Sequence, residues 1–437
     1  MTSHDRSDEI LAHNSRYIPG GVSSLNRLTE PNISFVRGGG AHIWDADGNE
    51  YIDYHGAFSP QFLGFNHPRV TTAVREVLDQ QADLFGAGPS ELEGRLAELV
   101  CSNINWVEKV AVFNTGSEGT AQAIRLARAA TGRDHVVLMQ GGYNGWHNDV
   151  ACNLMTPLEV LGDRVSPGEY PFLPISAGIP EAHSELIHNV NFNDLDSVRY
   201  VAERYPVAAV MLEPLLQNVG VIKPHPGYLE GLRALANEFG FLLIFDEVKT
   251  GFRHSVGGYA EISGVSPDLA VYGKAIASGY PIGLLAGRAE WMDYFAHQDL
   301  GKRVLLAGTY NAHPIPTAAA IATIECLLQD NRRIYDRVEA LAASLERGLA
   351  DILGSKGIEN VIVRQGSAFC VYFMDHEPVD WHDLAAHHDN AWDEKFRRAL
   401  IDRGVFVFPL ASKQWSLSAQ HSPADVELTL DRANDAI

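Results

Sequence analysis

Through the middle of the chain, short uninterrupted apolar runs alternate with segments of helical periodicity. Runs at 110–113, 135–139, 207–212, 241–245 and 269–272 are rich in Val, Ile, Leu or Phe and show little alternation. That is the pattern of strands buried on both faces. Between them, 118–130 places Ile124, Leu126 and Ala127 near one side, and 228–239 repeats Leu229, Leu232, Leu235 and Ala236 at helical spacing. Strand and helix in alternation predict an α/β fold whose mainly parallel sheet has helices on both faces. Ligands in such sheets sit beyond the carboxyl ends of the strands.

The two ends of the chain have a different grammar. Residues 44–54, WDADGNEYIDY, place Asp47-Gly48-Asn49 as a hairpin turn between alternating segments. After about residue 325 come helical patterns, then short strands expected at 368–373 and 405–408. With 437 residues the chain exceeds one ordinary core. The expected division is a large domain over 61–325 and a small α+β domain assembled from 1–60 and 326–437. Residues 151–188 lack clean periodicity and hold Pro157, Pro167, Pro171, Pro174 and Pro180. A loop of that length reads as a lid over a site, or as a surface excursion or dimer arm.

Charge narrows the choice of partner. Lys and Arg number 34 against 55 Asp and Glu, a formal charge of −21. Phosphate backbones and anionic lipid are repelled by such a chain, so neither nucleic acid nor a membrane is an expected partner. No apolar stretch reaches the roughly 18 residues of a spanning helix. The N-terminus, MTSHDRSDEI, has no signal-peptide core. Four cysteines without a CxxC pair fit a reducing cytoplasm. The histidines form neither HExxH nor a Cys/His cluster, so no metal site is expected.

Three segments carry chemistry. In FLLIFDEVKTGF, 241–252, a buried strand delivers Asp246 at its carboxyl end, with Val248 two residues on along the same face. A carboxylate there is costly unless a cation pairs with it. A protonated pyridine nitrogen is one such partner, but a helix cap, a metal ligand or a Walker-B-type carboxylate fits the same pattern. In DLAVYGKAIASGYPIG, 268–283, a second strand ends at Gly273-Lys274. A lysine so placed is poised for a lowered pKa, as a Schiff-base lysine requires, although a solvated strand-end lysine is the commoner case. Together the acid and the amine fit the two ends of one cofactor ring. In the third segment, 109–132, a strand runs into Thr115-Gly116-Ser117-Glu118-Gly119 and a helix, so that backbone N–H groups and small hydroxyls form a phosphate cradle. Walker A and GxGxxG are absent, which disfavours nucleotide-triphosphate and dinucleotide enzymes.

These segments, with PGGVSS at 19–24, GGYNGWH at 141–147, Glu213-Pro214, DEVKTGFR at 246–253 and AGTYNAHP at 307–314, resemble the class III aminotransferases of the fold-type I pyridoxal 5′-phosphate (PLP) enzymes. Within that family the look is nearest to glutamate-1-semialdehyde 2,1-aminomutase and its aminotransferase relatives. The resemblance runs through nearly the whole chain. It implies that Lys274 holds PLP as a Schiff base and shuttles the proton, and that Asp246 pairs with the pyridine nitrogen. Val248 and Tyr143 then pack on the two ring faces, Gly116 and Ser117 hold the phosphate, and Glu213 lies near the cofactor. Thr309 reaches the cofactor of the neighbouring subunit, which implies a homodimer with shared sites. Arg27 binds the substrate carboxylate as a bidentate pair.

Departures from the family wording bear on the substrate. The usual SGTEA is TGSEG here, and the usual YHG is Tyr143-Asn144-Gly145. Phe58 stands where the aminomutase carries a tryptophan. Lys413 falls where it carries a substrate-facing glutamate, and a lysine there would repel the second ammonium of a diamine-like intermediate. The expected activity is therefore transamination from a carboxylate-bearing amine donor to a keto acid acceptor. An aminomutase or amino-acid epimerase on the same scaffold is the alternative, and a non-catalytic PLP-binding regulator the remote one.

Overall fold

All five apolar runs become strands of one seven-stranded sheet in the computed structural model, which describes residues 3–437. From edge to edge the sheet runs Lys109–Phe113, Gly283–Gly287, Leu269–Gly273, Leu242–Glu247, Val207–Leu212, His135–Met139 and Ile187–Val190. The pairs from Leu269–Gly273 to Ile187–Val190 are all parallel. Val207–Leu212 is buried at every residue, which explains why it shows no alternation.

One strand has no counterpart among the apolar runs. Gly283–Gly287 lies antiparallel to both its neighbours. Its five residues begin and end in glycine and follow a loop, so nothing local marks them as a strand. The first glycine is sterically required: a Cβ at Gly283 would lie 2.1 Å from the Thr115 carbonyl oxygen. The close approach seats this strand against the start of the helix Gly116–Thr131.

Boundaries shift where capping decides them. The helix expected from 118 begins at Gly116, because the Thr115 side chain accepts from the Glu118 N–H at 3.2 Å and sets the N-cap there. It stops at Gly132, whose φ of 66° is left-handed. Tyr228–Phe239 stops at Gly240 in the same way. The strand expected at 241–245 extends to Glu247 and so includes Asp246.

The long segment 151–188 contains only the short helix Leu158–Leu161 and a 3₁₀ turn at Glu181–Glu185. It is nevertheless tied down. Asn153 donates to Gln140 Oε1 at 2.9 Å and to the Pro171 carbonyl at 3.0 Å, and Trp381 Nε1 donates to the Thr156 carbonyl at 2.9 Å. These anchors favour a fixed surface excursion over a lid.

Two compact units result. The central unit comprises Pro68–Arg332 and Pro378–His387, and contains the seven-stranded sheet. The terminal unit comprises residues up to His67 with Arg333–Glu377 and His388–Ile437. Its four-stranded sheet joins Phe35–Gly39, His42–Asp45 and Glu50–Asp53 to Val405–Phe406, which pairs in parallel with Glu50–Asp53. A second sheet holds Val361–Gln365, Ala368–Tyr372 and Trp415–Ser416. The strands expected at 368–373 and 405–408 are each shorter than the apolar run that announces them. Asp45 organises the 47–49 turn: its carboxylate accepts from the N–H groups of Asp47 and Asn49 and from the Tyr51 hydroxyl. Among the described residues no helix is long and apolar enough to cross a membrane.

Candidate active site

Parallel strands deliver their carboxyl-terminal residues to one edge, and there the central unit gathers its titratable groups. Asp246, at the end of Leu242–Glu247, is 3% exposed. Its Oδ2 accepts from Asn144 Nδ2 at 2.8 Å and its Oδ1 from the Val248 N–H at 3.0 Å. Glu213 is buried just after the next strand, with one oxygen bonded to the Tyr143 N–H and the other to the Gln217 N–H, both at 3.0 Å. Burial, and then the charge of Glu213, push Asp246 up to about 6. Two bonds occupy only part of the acceptor capacity of a carboxylate, so the site has room for a further donor.

Lys274 opens a 3₁₀ turn directly after Leu269–Gly273, with a left-handed φ of 47°. For a lysine that conformation is strained, and such outliers concentrate at functional positions. Lys274 keeps some exposed surface, as a residue lining an open cleft does. It is still enclosed enough that burial lowers its pKa, against the opposing pull of Asp246 and Glu213, with Arg253 adding to the depression.

Glycines report how close the remaining pieces lie. A Cβ on Gly116 would meet Val248 Cγ2 at 2.6 Å, and one on Gly145 would meet Ser117 Oγ at 2.8 Å. The helix start, the 143–145 loop and the residue after the Asp246 strand are thus in mutual contact. Of the residues singled out from the sequence, this unit brings together Gly116, Ser117, Tyr143, Glu213, Asp246, Val248 and Lys274. Thr309 stands apart, exposed on the loop before the helix Pro314–Leu328. There it lines a cavity of about 930 Å³ with Phe85, Gly88 and Asn311. Asn144 carries no role in the sequence motifs as read above. Its signal is the departure from YHG, since an amide at that position donates to Asp246 without carrying charge.

Arg27, Phe58 and Lys413 belong to the terminal unit. Arg27 is exposed at the end of a short 3₁₀ turn, while Phe58 and Lys413 are half-buried. Phe58 sits in an unusual turn: Gly56, Ala57, Phe58 and Ser59 have φ of 57°, 54°, 66° and 84°, and the Ser59 N–H donates to the His55 carbonyl at 3.2 Å. This is one turn of left-handed helix, which costs roughly 1–2 kcal/mol for each non-glycine residue.

The segment carrying Lys413 is clamped from below. Asp393, 1% exposed, accepts from Arg397 Nε at 2.6 Å, from the Ser412 N–H at 2.8 Å, and faces His388 Nε2 at 3.1 Å. Arg397 in turn donates to the carbonyls of Phe408 and Lys413 at 3.1 and 2.8 Å. Burial pushes Asp393 up, but the charge and bonds of Arg397 and His388 outweigh it and hold the carboxyl below its usual range. A depressed folded-state pKa gives stability that is fully present above the unfolded carboxylate range and is lost as pH falls through the folded pKa. Asp393→Ala leaves Arg397 buried and unpaired. It is expected to destabilise the protein by about 3–5 kcal/mol, read as a lower midpoint in urea; a shift under about 1 kcal/mol would contradict the clamp.

The family pattern for aminotransferase class-III matches residues 25–419. The chain belongs to that family. As a class-III member it is 39% identical to a glutamate-1-semialdehyde 2,1-aminomutase of Thermus thermophilus, across 99% of this chain and 98% of that one. It is 36% identical to glutamate-1-semialdehyde 2,1-aminomutase 2 of Brevibacillus brevis, across 100% and 99%. The crystal structure of an omega-transaminase from Sphaerobacter thermophilus superposes with a TM-score of 0.90 at 28% identity, covering 98% of this chain and 96% of that one.

Pyridoxal 5′-phosphate is the cofactor of class-III enzymes, and the central unit fits it. Two buried carboxylates, Asp246 and Glu213, act on the amine of Lys274, and the raised pKa of Asp246 marks a carboxylate that gains from a further cation. A pyridinium nitrogen supplies that charge. At the other end, the first turn of Gly116–Thr131 offers backbone N–H groups beside Ser117, as a phosphate requires.

Proposed function

We propose that this class-III enzyme moves an amino group on a carboxylate-bearing amine, with PLP carried by Lys274. The observation that supports it best is the grouping of Lys274, Asp246 and Glu213 at the carboxyl edge of the sheet. The cofactor, when bound, supplies an electron sink for the pair left by a departing α proton. Lys274 Nζ takes that proton and returns it, a role served by its lowered pKa. Asp246 holds a proton on the pyridine nitrogen, and Asn144 and the Val248 N–H fix its carboxylate for that task. Tyr143 and Val248 confine the ring, and Gly116 and Ser117 bind the phosphate. Arg27 receives the substrate carboxylate.

Two readings of the complete reaction have support. The names of the full-length relatives favour the aminomutase, in which a single substrate is rearranged. Lys413 favours transamination with a separate keto acceptor, since a cation at this position opposes a diamine-like intermediate. We take transamination as the reading for this chain, because the charge reversal belongs to the chain itself. The test is acceptor dependence. With an amine donor alone, the holoenzyme is expected to complete one half-reaction and stop as the pyridoxamine form, turning over only when pyruvate or 2-oxoglutarate is added. Sustained turnover of glutamate 1-semialdehyde without an acceptor would establish the aminomutase instead.

We also propose a homodimer in which Thr309 serves the neighbouring subunit's cofactor. Exposed apolar residues on and near its loop, Leu305, Tyr310 and Phe85, support this. A cytoplasmic location is supported by the four free cysteines.

A further inference from the structure

At the carboxyl edge of the central sheet, residue 217 is held at three points. Its N–H donates to Glu213 Oε2 at 3.0 Å, its carbonyl accepts from Lys249 Nζ at 2.7 Å, and its side-chain Nε2 donates to His254 Nε2 at 2.8 Å. These bonds join the segments that leave two neighbouring strands, Val207–Leu212 and Leu242–Glu247. Gln217, Lys249 and His254 are all buried, Gln217 completely.

Stability alone does not call for this pair of polar side chains. Because the Gln217 amide donates to Nε2, the proton of a neutral His254 sits on Nδ1. That Nδ1 and Gln217 Oε1 are both buried without a hydrogen-bond partner among the described residues. Each such atom costs about 1–3 kcal/mol, which leucine at either position would not incur. Burial, with Arg253 adding to it, pushes His254 down to about 3, so the imidazole grips the amide without bringing charge to the site. A half-satisfied polar pair kept in so dry a place has its explanation in what it holds.

It holds a carboxylate. Glu213 is fixed through Oε2 by the Gln217 N–H and through Oε1 by the Tyr143 N–H, and the next residue, Asn144, holds Asp246. The charge of Glu213 opposes the depression of Lys274 and adds to the rise of Asp246, while Asp246 and Arg253 also act on Lys274. We propose that Gln217, locked by His254 and Lys249, is a positioning residue that keeps the Glu213 carboxylate where it acts on Lys274 and Asp246. Releasing the peptide of residue 217 frees Glu213 Oε2 to turn away, and a protonated Lys274 then loses part of the negative charge that stabilises it. The inference rests on the proposed reading of Lys274 as the proton-moving group and extends it to the residues that hold its electrostatic surroundings.

Competitive acetylation of the full-length protein freed of cofactor, read by mass analysis of the peptide containing residue 274, gives the pH midpoint of the Lys274 amine. In Glu213→Gln that midpoint is expected to fall by about 1–2, the loss of one nearby carboxylate. Gln217→Leu, close to glutamine in volume, is expected to lower it by about 0.5–1. Added to Glu213→Gln, the leucine is expected to change nothing further, because the two residues act as one unit. His254→Leu leaves residue 217 intact and is expected to shift the midpoint in the same direction, so the test stands even where Gln217→Leu does not fold. Titrating the visible absorption of the holoenzyme is expected to give the variants in the same order. An unchanged midpoint in both leucine variants, or an equal shift from Gln217→Leu with and without the Glu213 carboxylate, would remove Gln217 from the positioning role. A wild-type midpoint at the ordinary lysine value of about 10.4 would instead sink the reading of Lys274 itself.

Discussion

Lys274→Ala is expected to abolish the visible absorption of the lysine-bound cofactor and to lower turnover by about 10⁴-fold, the upper range for loss of a positioned proton-transfer group. The lysine has two functions, attachment and proton movement, and alanine removes both. Its surroundings make the substitution decisive. Asp246 and Glu213 both pull on Lys274, whereas Arg253, a cation that Lys274 also feels, is too basic to exchange protons near neutrality. The helix start at Gly116 and the carboxylate of Asp246 remain, so the variant is expected to retain cofactor without a covalent link. Borohydride reduction followed by mass analysis reads this directly: wild type gains the cofactor mass on a peptide containing residue 274, and the variant gains none. Cofactor trapped on the variant at another lysine would overturn the assignment.

Lys274 and Asp246 are legible in the amino-acid sequence because of their placement. Each ends an apolar run whose burial on both faces erases alternation, so the polar residue at its end stands out. Glu213 leaves the neighbouring strand in the same way, but it is the family resemblance that singles it out. Properties that depend on contacts between remote segments leave weaker traces. Gly283–Gly287 is a strand because Thr115 lies against it, and no local pattern records that contact. The left-handed turn at 56–59 has one glycine and three residues that ordinarily avoid positive φ. Its stabilising partners, Gln414 and Ser416, lie at the other end of the chain. The setting of Lys413 likewise depends on Arg397 and Asp393. Sequence therefore conveys the electrophilic end of the chemistry better than the substrate end.

Asp246→Asn is expected to separate cofactor binding from catalysis. Asparagine preserves the size of the side chain, and its carbonyl oxygen still accepts one of the two bonds now made by Asn144 and the Val248 N–H. The other site becomes an NH₂ facing a donor, so one of these groups loses its partner, at a cost of about 1–3 kcal/mol. Without cofactor that cost is offset. Asp246 is already raised to about 6 by burial and by Glu213, so a neutral amide relieves part of an unfavourable charge. With cofactor the balance reverses, because the amide cannot hold a full positive charge on the pyridine nitrogen. Thermal melts are thus expected to show little change for the apoenzyme but a smaller rise on adding PLP than wild type gives. Turnover is expected to fall by about 10²–10³-fold, the loss typical of one preorganised charge-stabilising group. A deaza cofactor analogue, which lacks the ring nitrogen, should slow wild type strongly and the variant hardly at all. Near-normal turnover of Asp246→Asn with PLP, or equal sensitivity of both proteins to the analogue, would exclude the ring-nitrogen role and leave Asp246 as a structural acceptor for Asn144.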